Sequence, residues 1–372
     1  MRGCRGSGKL DDVGTYVCCT AISGTLQLRR SARNTSHSSF SVRPPHVPLP
    51  LRPGCEPPTV RPVHLTSRQL TSTTSRGVRM RIRPVVAVAG ALMGLSAFAL
   101  PATGAQAAAH GHPPVVVGHR GAAAYAPENT LASVDTASRL GIAWVENDVQ
   151  RTKDGELVVL HDTSLARTTN VKKVFPDRSS WNVGDFTLRE IEKLDAGSWF
   201  GAKFKGERVP TLEEYLEEVE DNGQSLLMEL KNPELYPGIE RQALRELRHD
   251  GWLDQEHLKR RLIVQSFNAD AIKKVHRLNP AIKTGFLGSP SVADLPKYAA
   301  YCDQINPPHT AVTRKYVKAV HALQGPHHRR LELYTWTVDD AKAAVSTADL
   351  GVEGLISNKP DVVRKALGGT DS

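Results

Sequence analysis

From Val115 onward the chain repeats one unit, a short β-branched or apolar run followed by an amphipathic stretch at helical spacing. Strand-like runs fall at 115–118, 144–150, 226–230, 262–266, 284–287, 303–306, 331–337 and 353–357. Helical patterns lie between most of them, at 130–140, 212–221, 239–249, 269–278 and 313–323. Eight strands alternating with helices over about 250 residues predict a (β/α)8 TIM barrel. A doubly wound open sheet is the alternative, but no glycine-rich dinucleotide loop follows the first strand.

A ninth run, 156–161, does not fit the parallel count, because only five residues separate it from the second strand. That is too short for a parallel crossover, so the two runs form an antiparallel hairpin. Asp154-Gly155 is a two-residue turn signal. With that turn, residue 153 pairs with 156 and Asp148 falls opposite His161. Residues 163–210 carry little regular pattern beyond a short helical stretch near 188–194 and form a loop-rich insert. Its Phe175, Trp181, Trp199 and Phe200 either cover a site or form the insert's own core.

The basic character of the chain is confined to its beginning. Residues 1–107 hold 14 Lys+Arg against 3 Asp+Glu, so a whole-chain charge of +9 leaves 108–372 at −2. This distribution argues against a nucleic-acid surface. Four of the five cysteines (Cys4, Cys18, Cys19 and Cys55) share that leader, leaving Cys302 alone in the remainder, so no intramolecular disulfide supports it. Residues 1–79 are rich in Arg, Pro, Ser and Thr and are expected to be disordered. Met80, Arg81 and Arg83, an apolar run to about Leu100, and Ala105-Gln106-Ala107 have the layout of a secretory signal peptide over 80–107. A membrane anchor is the rival, but Gly90, Gly94 and the small-residue exit favour cleavage. Translation is expected to start at Met80, with 1–79 an untranslated upstream leader, and residues 108–372 are expected to be the exported domain. No stable membrane insertion is expected after cleavage, and the sequence leaves the oligomeric state open.

In a barrel, chemistry gathers at the C-terminal ends of the strands. The first strand ends in His119-Arg120-Gly121, the second carries Glu146 and Asp148, the hairpin ends at His161-Asp162, and the next strand ends with Glu229 and Lys231. A spacing of two puts Glu146 with Asp148, and Glu229 with Lys231, on one side of their strands. Glu146, Asp148 and Glu229 are hard oxygen donors suited to one divalent cation, Ca2+ or Mg2+. Arg120 and Lys231 are fixed cations suited to a phosphate. His119 and His161 titrate in the neutral range when unperturbed and can supply a general base and a general acid. Together these groups specify displacement at phosphorus.

The motifs His119-Arg120-Gly121, Ala126-Pro127-Glu128-Asn129-Thr130, Val145-Glu146-Asn147-Asp148-Val149, Thr152-Lys153-Asp154-Gly155, Val159-Leu160-His161-Asp162 and Glu229-Leu230-Lys231 occur in an order and spacing that resembles the glycerophosphodiester phosphodiesterase family. The resemblance spans Val115 to about Val363. It implies a (β/α)8 barrel with an inserted subdomain that cleaves glycerophosphodiesters to an alcohol and sn-glycerol 3-phosphate. It also implies that His119 and His161 are the acid/base pair, that Glu146, Asp148 and Glu229 ligate the metal, and that Arg120 and Lys231 hold the phosphate. Gln265-Ser266-Phe267 and Trp336 match later segments of the family near the substrate groove, which makes Gln265 and Trp336 substrate-binding candidates. Ser357-Asn358-Lys359-Pro360 departs from the family's Thr-Asp before a Pro. Two rival functions share these residues: a lipid-directed phosphodiesterase on the same barrel, of phospholipase C or sphingomyelinase D type, and a non-catalytic exported phosphodiester-binding protein. Asn129 is read as the N-cap of the first helix, Glu128 as an anion at its positive end, Gly121 as a turn beside the phosphate, and Asp162 as an orienting group.

Overall fold

The computed structural model describes residues 113–369. The expected leader (1–79) and signal peptide (80–107) lie outside the described residues. Eight parallel strands close a barrel: β1 (Val115–Gly118), β2 (Trp144–Arg151), β4 (Ser225–Leu230), β5 (Leu262–Ser266), β6 (Lys283–Leu287), β7 (Gln304–Asn306), β8 (Glu332–Thr335) and β9 (Gly354–Ser357). β1 pairs with both β2 and β9, which completes the closure. The short β3 (Leu157–Val159) folds back on β2 as the antiparallel hairpin.

Several flanking helices begin where the sequence supplies a cap. Thr130 caps α1 (Leu131–Arg139), Thr211 and Glu214 form a capping box on α2 (Leu212–Asp221), and Asn268 accepts from two backbone amides at the start of the helix Ala269–Leu278. The apolar faces of these helices pack against the outward residues of the strands, as Val134 and Ala137 of α1 do in one cluster with Val145 and Val149 of β2. Each fully buried Val or Leu in such a shell contributes ~1.5–3 kcal/mol.

The strand period divides the barrel interior into two zones. Val117, Leu227, Ile263, Tyr334 and Ile356 pack together as an apolar plug. Two residues further along the same strands stand Glu229 and Gln265, on the same inward face but nearer the C-terminal ends, with Trp336 just past the end of β8. A dry floor therefore lies beneath a polar rim. Gly285 makes room in that rim, since a Cβ there would lie 2.8 Å from Asn306 Nδ2.

The hairpin register differs from the sequence expectation by one residue. Val149 pairs with Val159 and Arg151 with Leu157, while Leu160 N–H donates to the Asp148 carbonyl. Asp148 therefore lies opposite Leu160, not His161. The connection is a three-residue loop, closed by Thr152 N–H to the Glu156 carbonyl, with Gly155 at φ +100°. Thr152 sets this choice: its hydroxyl bonds the Asp154 carboxylate and accepts from Glu156 N–H, which favours the longer turn. β3 also ends at Val159, so His161 sits on a loop and reaches the cavity from there.

The insert has its own core of Leu165, Val171, Val183, Phe186, Ile191 and Val209, with Phe175 and Trp181 packed against it. Trp199, by contrast, is 41% exposed, stacks edge-on with Phe200, and lies over Arg167. Phe175 and Trp181 thus belong to the insert's own core, and neither Trp199 nor Phe200 lines the cavity at the strand ends.

Candidate active site

A cavity of about 100 Å³ opens at the C-terminal end of the barrel, lined by His119, Arg120, Glu146, Asp148, His161, Glu229, Lys231, Gln265, Phe267 and Trp336 among others. All nine residues expected from the sequence to act on metal, substrate or protons are in it. Larger grooves open elsewhere, one of about 840 Å³ at the N-terminal ends of the strands, but they lack this combination of groups.

The three carboxylates are buried, and one oxygen of each lies within 4.8 Å of the others. Asp148 Oδ1 accepts no hydrogen bond and has Lys231 Nζ at 3.3 Å; its Oδ2 accepts from Asn129 Nδ2 at 2.8 Å and faces Arg120 Nε at 3.5 Å. Burial works against the charge of Asp148, but Lys231 and Arg120 hold its carboxyl well below the usual range. Glu229 has no such surplus: burial first, then repulsion from Asp148, pushes it up to about 8. Burial and the same neighbour raise Glu146 as well. Three buried carboxylates with an orphaned oxygen, two of them unable to ionise comfortably, fit a divalent cation bound by hard oxygen donors. This trio can hold a metal.

The cations expected to meet phosphate border the cluster. Lys231 Nζ lies 3.1 Å from Glu229 Oε1, and Arg120 Nη1 donates to Glu128 Oε1 at 2.8 Å. Arg120 has a left-handed backbone (φ +53°), held by its N–H to Glu146 Oε2 and by Ser133 Oγ donating to its carbonyl. A strained non-glycine residue sustained by the surrounding structure is common at functional sites. Gly121 serves helix packing, since a Cβ there would lie 2.3 Å from Ser133 Oγ.

The two histidines are oriented differently. His119 Nδ1 is 2.8 Å from Asn358 Oδ1, and its Nε2 points to Glu146 Oε2 at 4.0 Å. Burial and then Arg120 push His119 down to about 4. His161 Nδ1 is 2.8 Å from Asp162 Oδ1. Asp162 is held at about 2, chiefly by hydrogen bonds from Arg167, then by His161. The sequence reading of Asp162 as an orienting group therefore matches its place.

Several residues that build the site were not singled out in the sequence, or were given another role. Asn129 is buried at φ +59° and serves Asp148, while Thr130 caps the helix instead. Glu128 is a bridge between Arg120 and Arg167. Arg167 comes from the insert and also grips Asp162 through Nε and Nη2. Asn306 donates to Gln265 Oε1, and its carbonyl accepts from Trp336 Nε1, so it positions both substrate-binding candidates. The signal for Asn129 and Glu128 was present in their motif, but local helix rules absorbed it. Arg167 and Asn306 carried no local signal.

The "Glycerophosphoryl diester phosphodiesterase family" model matches residues 119–362. A glycerophosphodiester phosphodiesterase of Bacillus subtilis is 34% identical over 269 residues, covering 68% of this chain and 87% of the relative. One from Caldanaerobacter subterraneus is 34% identical over 258 residues, covering 67% of this chain and 96% of its own. Among solved structures, an Oleispira antarctica phosphodiesterase in complex with the product sn-glycerol-3-phosphate superimposes with a TM-score of 0.60. That match has 29% identity and covers 70% of this chain and 99% of that one.

Proposed function

The chain belongs to the glycerophosphoryl diester phosphodiesterase family, and from that premise we propose that it cleaves glycerophosphodiesters by histidine acid–base catalysis beside a cation held by Glu146, Asp148 and Glu229. The products are an alcohol and sn-glycerol 3-phosphate. The observation that carries this reading is the pairing of two differently supported imidazoles with a carboxylate trio in one cavity.

A bound Ca2+ or Mg2+ would supply charge neutralisation at the phosphoryl oxygens and acidify a hydroxyl nearby. Arg120 and Lys231 turn from their carboxylate partners toward the substrate phosphate. His119 has a neutral amide on Nδ1 and is uncharged at neutral pH, so its Nε2 takes the proton of the attacking hydroxyl. Water as the attacker gives sn-glycerol 3-phosphate directly, whereas the substrate's free glycerol hydroxyl gives a cyclic phosphodiester that a water molecule then opens to the same product. The new P–O bond forms as the bond to the leaving alcohol breaks. His161 is oriented by the Asp162 carboxylate on Nδ1 and delivers a proton to the departing alkoxide. Proton exchange with water then resets both rings. Gln265 and Trp336 border the substrate.

Export by the signal at 80–107 and folding of 108–372 as the enzymatic domain belong to the same proposal. Turnover of glycerophosphocholine, glycerophosphoethanolamine and an intact phospholipid, each with Ca2+, with Mg2+ and with chelator, tests it. Cleavage of the phospholipid alone, or of none, would overturn it.

A further inference from the structure

We infer that Asp339 and Asn358 form a positioning relay that fixes which nitrogen of His119 carries the proton. The inference rests on His119 acting as the general base. Its starting point is the segment Ser357-Asn358-Lys359-Pro360, which stood apart from the family pattern.

Asn358 lies just beyond β9, next to the end of β1, where His119 N–H donates to the Ser357 carbonyl. Its side chain touches His119 on one side and Asp339 on the other. Asn358 Nδ2 donates to Asp339 Oδ2 at 2.8 Å, and Asn358 N–H donates to Asp339 Oδ1 at 2.7 Å. Ser357 Oγ adds a third bond to that carboxylate at 3.1 Å. An ionised carboxylate only accepts, so the amide must turn its nitrogen to Asp339 and its oxygen to His119. An amide oxygen also only accepts, so His119 Nδ1 must carry a hydrogen across the 2.8 Å contact. The neutral ring then has its lone pair on Nε2, the nitrogen that faces the carboxylate cluster. Each link removes one alternative: the carboxylate sets the amide, and the amide sets the tautomer.

This relay differs from a carboxylate placed directly on the imidazole. The amide at position 358 orients the ring without adding a charge, and the negative charge is held one residue back at Asp339. Both residues act through His119 and are positioning residues.

The relay makes an unusual substitution informative. In Asp339→Asn the new amide oxygen meets Asn358 N–H, so its NH2 group confronts the NH2 group of Asn358. The Asn358 side chain must flip and present a donor to His119 Nδ1, which moves the hydrogen to Nε2 and hides the lone pair. Placing the amide at 339 and the carboxylate at 358, by the double substitution Asp339→Asn with Asn358→Asp, restores every donor–acceptor match.

The experiment combines steady-state kinetics on glycerophosphocholine with 15N NMR of histidine-labelled, Mg2+-loaded protein, the His119 signals being assigned by their loss in His119→Gln. In the wild type, Nδ1 should show the protonated signature and Nε2 the acceptor signature. Asp339→Asn should exchange the two and lower kcat by about 10²-fold, the low end for a positioned proton transfer, with KM within about threefold by the uniform-binding criterion. The double substitution should regain the wild-type tautomer and most of kcat. An unprotonated Nδ1 in the wild type, an unchanged tautomer in Asp339→Asn, or a double variant no better than that single one would overturn the relay. If Asp339→Asn does not fold, Asn358→Ala supplies the same readouts, with loss of a single defined tautomer expected. Near-normal turnover of His119→Gln would instead overturn the general-base role, and the wild-type NMR spectrum separates that failure from failure of the relay.

Discussion

Gln150 holds the loop that carries His161. Its Nε2 donates to the carbonyl oxygens of Leu160, His161 and Asp162 at 2.6, 3.3 and 2.7 Å, and its Oε1 accepts from Tyr236 Oη at 2.9 Å. β3 has ended by this point, so these side-chain bonds replace the missing strand ladder. Gln150→Leu keeps much of the volume but orphans two buried groups, the Leu160 carbonyl and the Tyr236 hydroxyl, each worth ~1–3 kcal/mol. A loss of about 2–3 kcal/mol in urea unfolding is expected, with kcat falling more than KM rises. Unchanged kcat in a folded variant would show that the loop keeps His161 in place without Gln150.

Removal of the metal should be both inhibitory and coupled to protons. Without metal, Glu229 is raised to about 8 from an ordinary 4.5 by burial, then by Asp148. The folded protein keeps a proton that the unfolded chain gives up, so this group's contribution to stability falls as pH rises from about 4.5 to about 8. A divalent cation bound by the trio would displace that proton. Calorimetry of Mg2+ or Ca2+ binding near pH 7, in buffers of different ionisation enthalpy, should show proton release and an affinity that rises up to about pH 8. Asp148→Asn should weaken binding while the barrel stays folded. Full activity after exhaustive chelation, with no metal by elemental analysis, would rule the cation out.

The histidine roles separate on substrates with different leaving groups. His119→Ala and His161→Ala should each lose ~10²–10⁴-fold in kcat on glycerophosphocholine. A p-nitrophenyl ester departs without a proton, so His161→Ala should recover on it and His119→Ala should not. Recovery of the His119 variant alone would reverse the two roles.

Arg167 ties the insert to both sides of the site through Glu128 and Asp162. Its side chain is 44% exposed, which limits its effect on stability by solvent screening. The expected effect is on catalysis: Arg167→Ala leaves Glu128 and Asp162 without their shared partner and should lower kcat about tenfold, or ~1.4 kcal/mol in barrier. Arg167→Lys should recover only part of this, because an ammonium cannot span two carboxylates as a planar fork does. Equal activity of the wild type and the alanine variant would restrict the insert to a structural role.

A chain beginning at Ala108 should fold and turn over as well as the full-length protein, since every barrel strand starts later. Loss of soluble protein on that truncation would place part of 1–107 within the folded domain.

Much of the barrel was legible because its causes are local. Period-two runs, helical spacing and the spacing of Glu146 with Asp148 act within a few residues of chain; the cap of the first helix is Thr130, one residue past the expected Asn129. These local patterns suffice to gather most of the nine side chains around one cavity at or near strand ends, while His161 reaches it from a loop. Only the tertiary structure decided which group meets which. A turn hydroxyl at Thr152 moved the hairpin by one residue, and a buried left-handed backbone sent Asn129 to Asp148. The partners of His119 lie far along the chain: Asn358 is 239 positions away, and Asp339 stands behind it. Such contacts depend on barrel closure between β1 and β9, where a donor meets an acceptor only once eight strands have set their register. The identities of the chemical groups are written in the chain, but the direction of each hydrogen bond between them arises from closing the barrel.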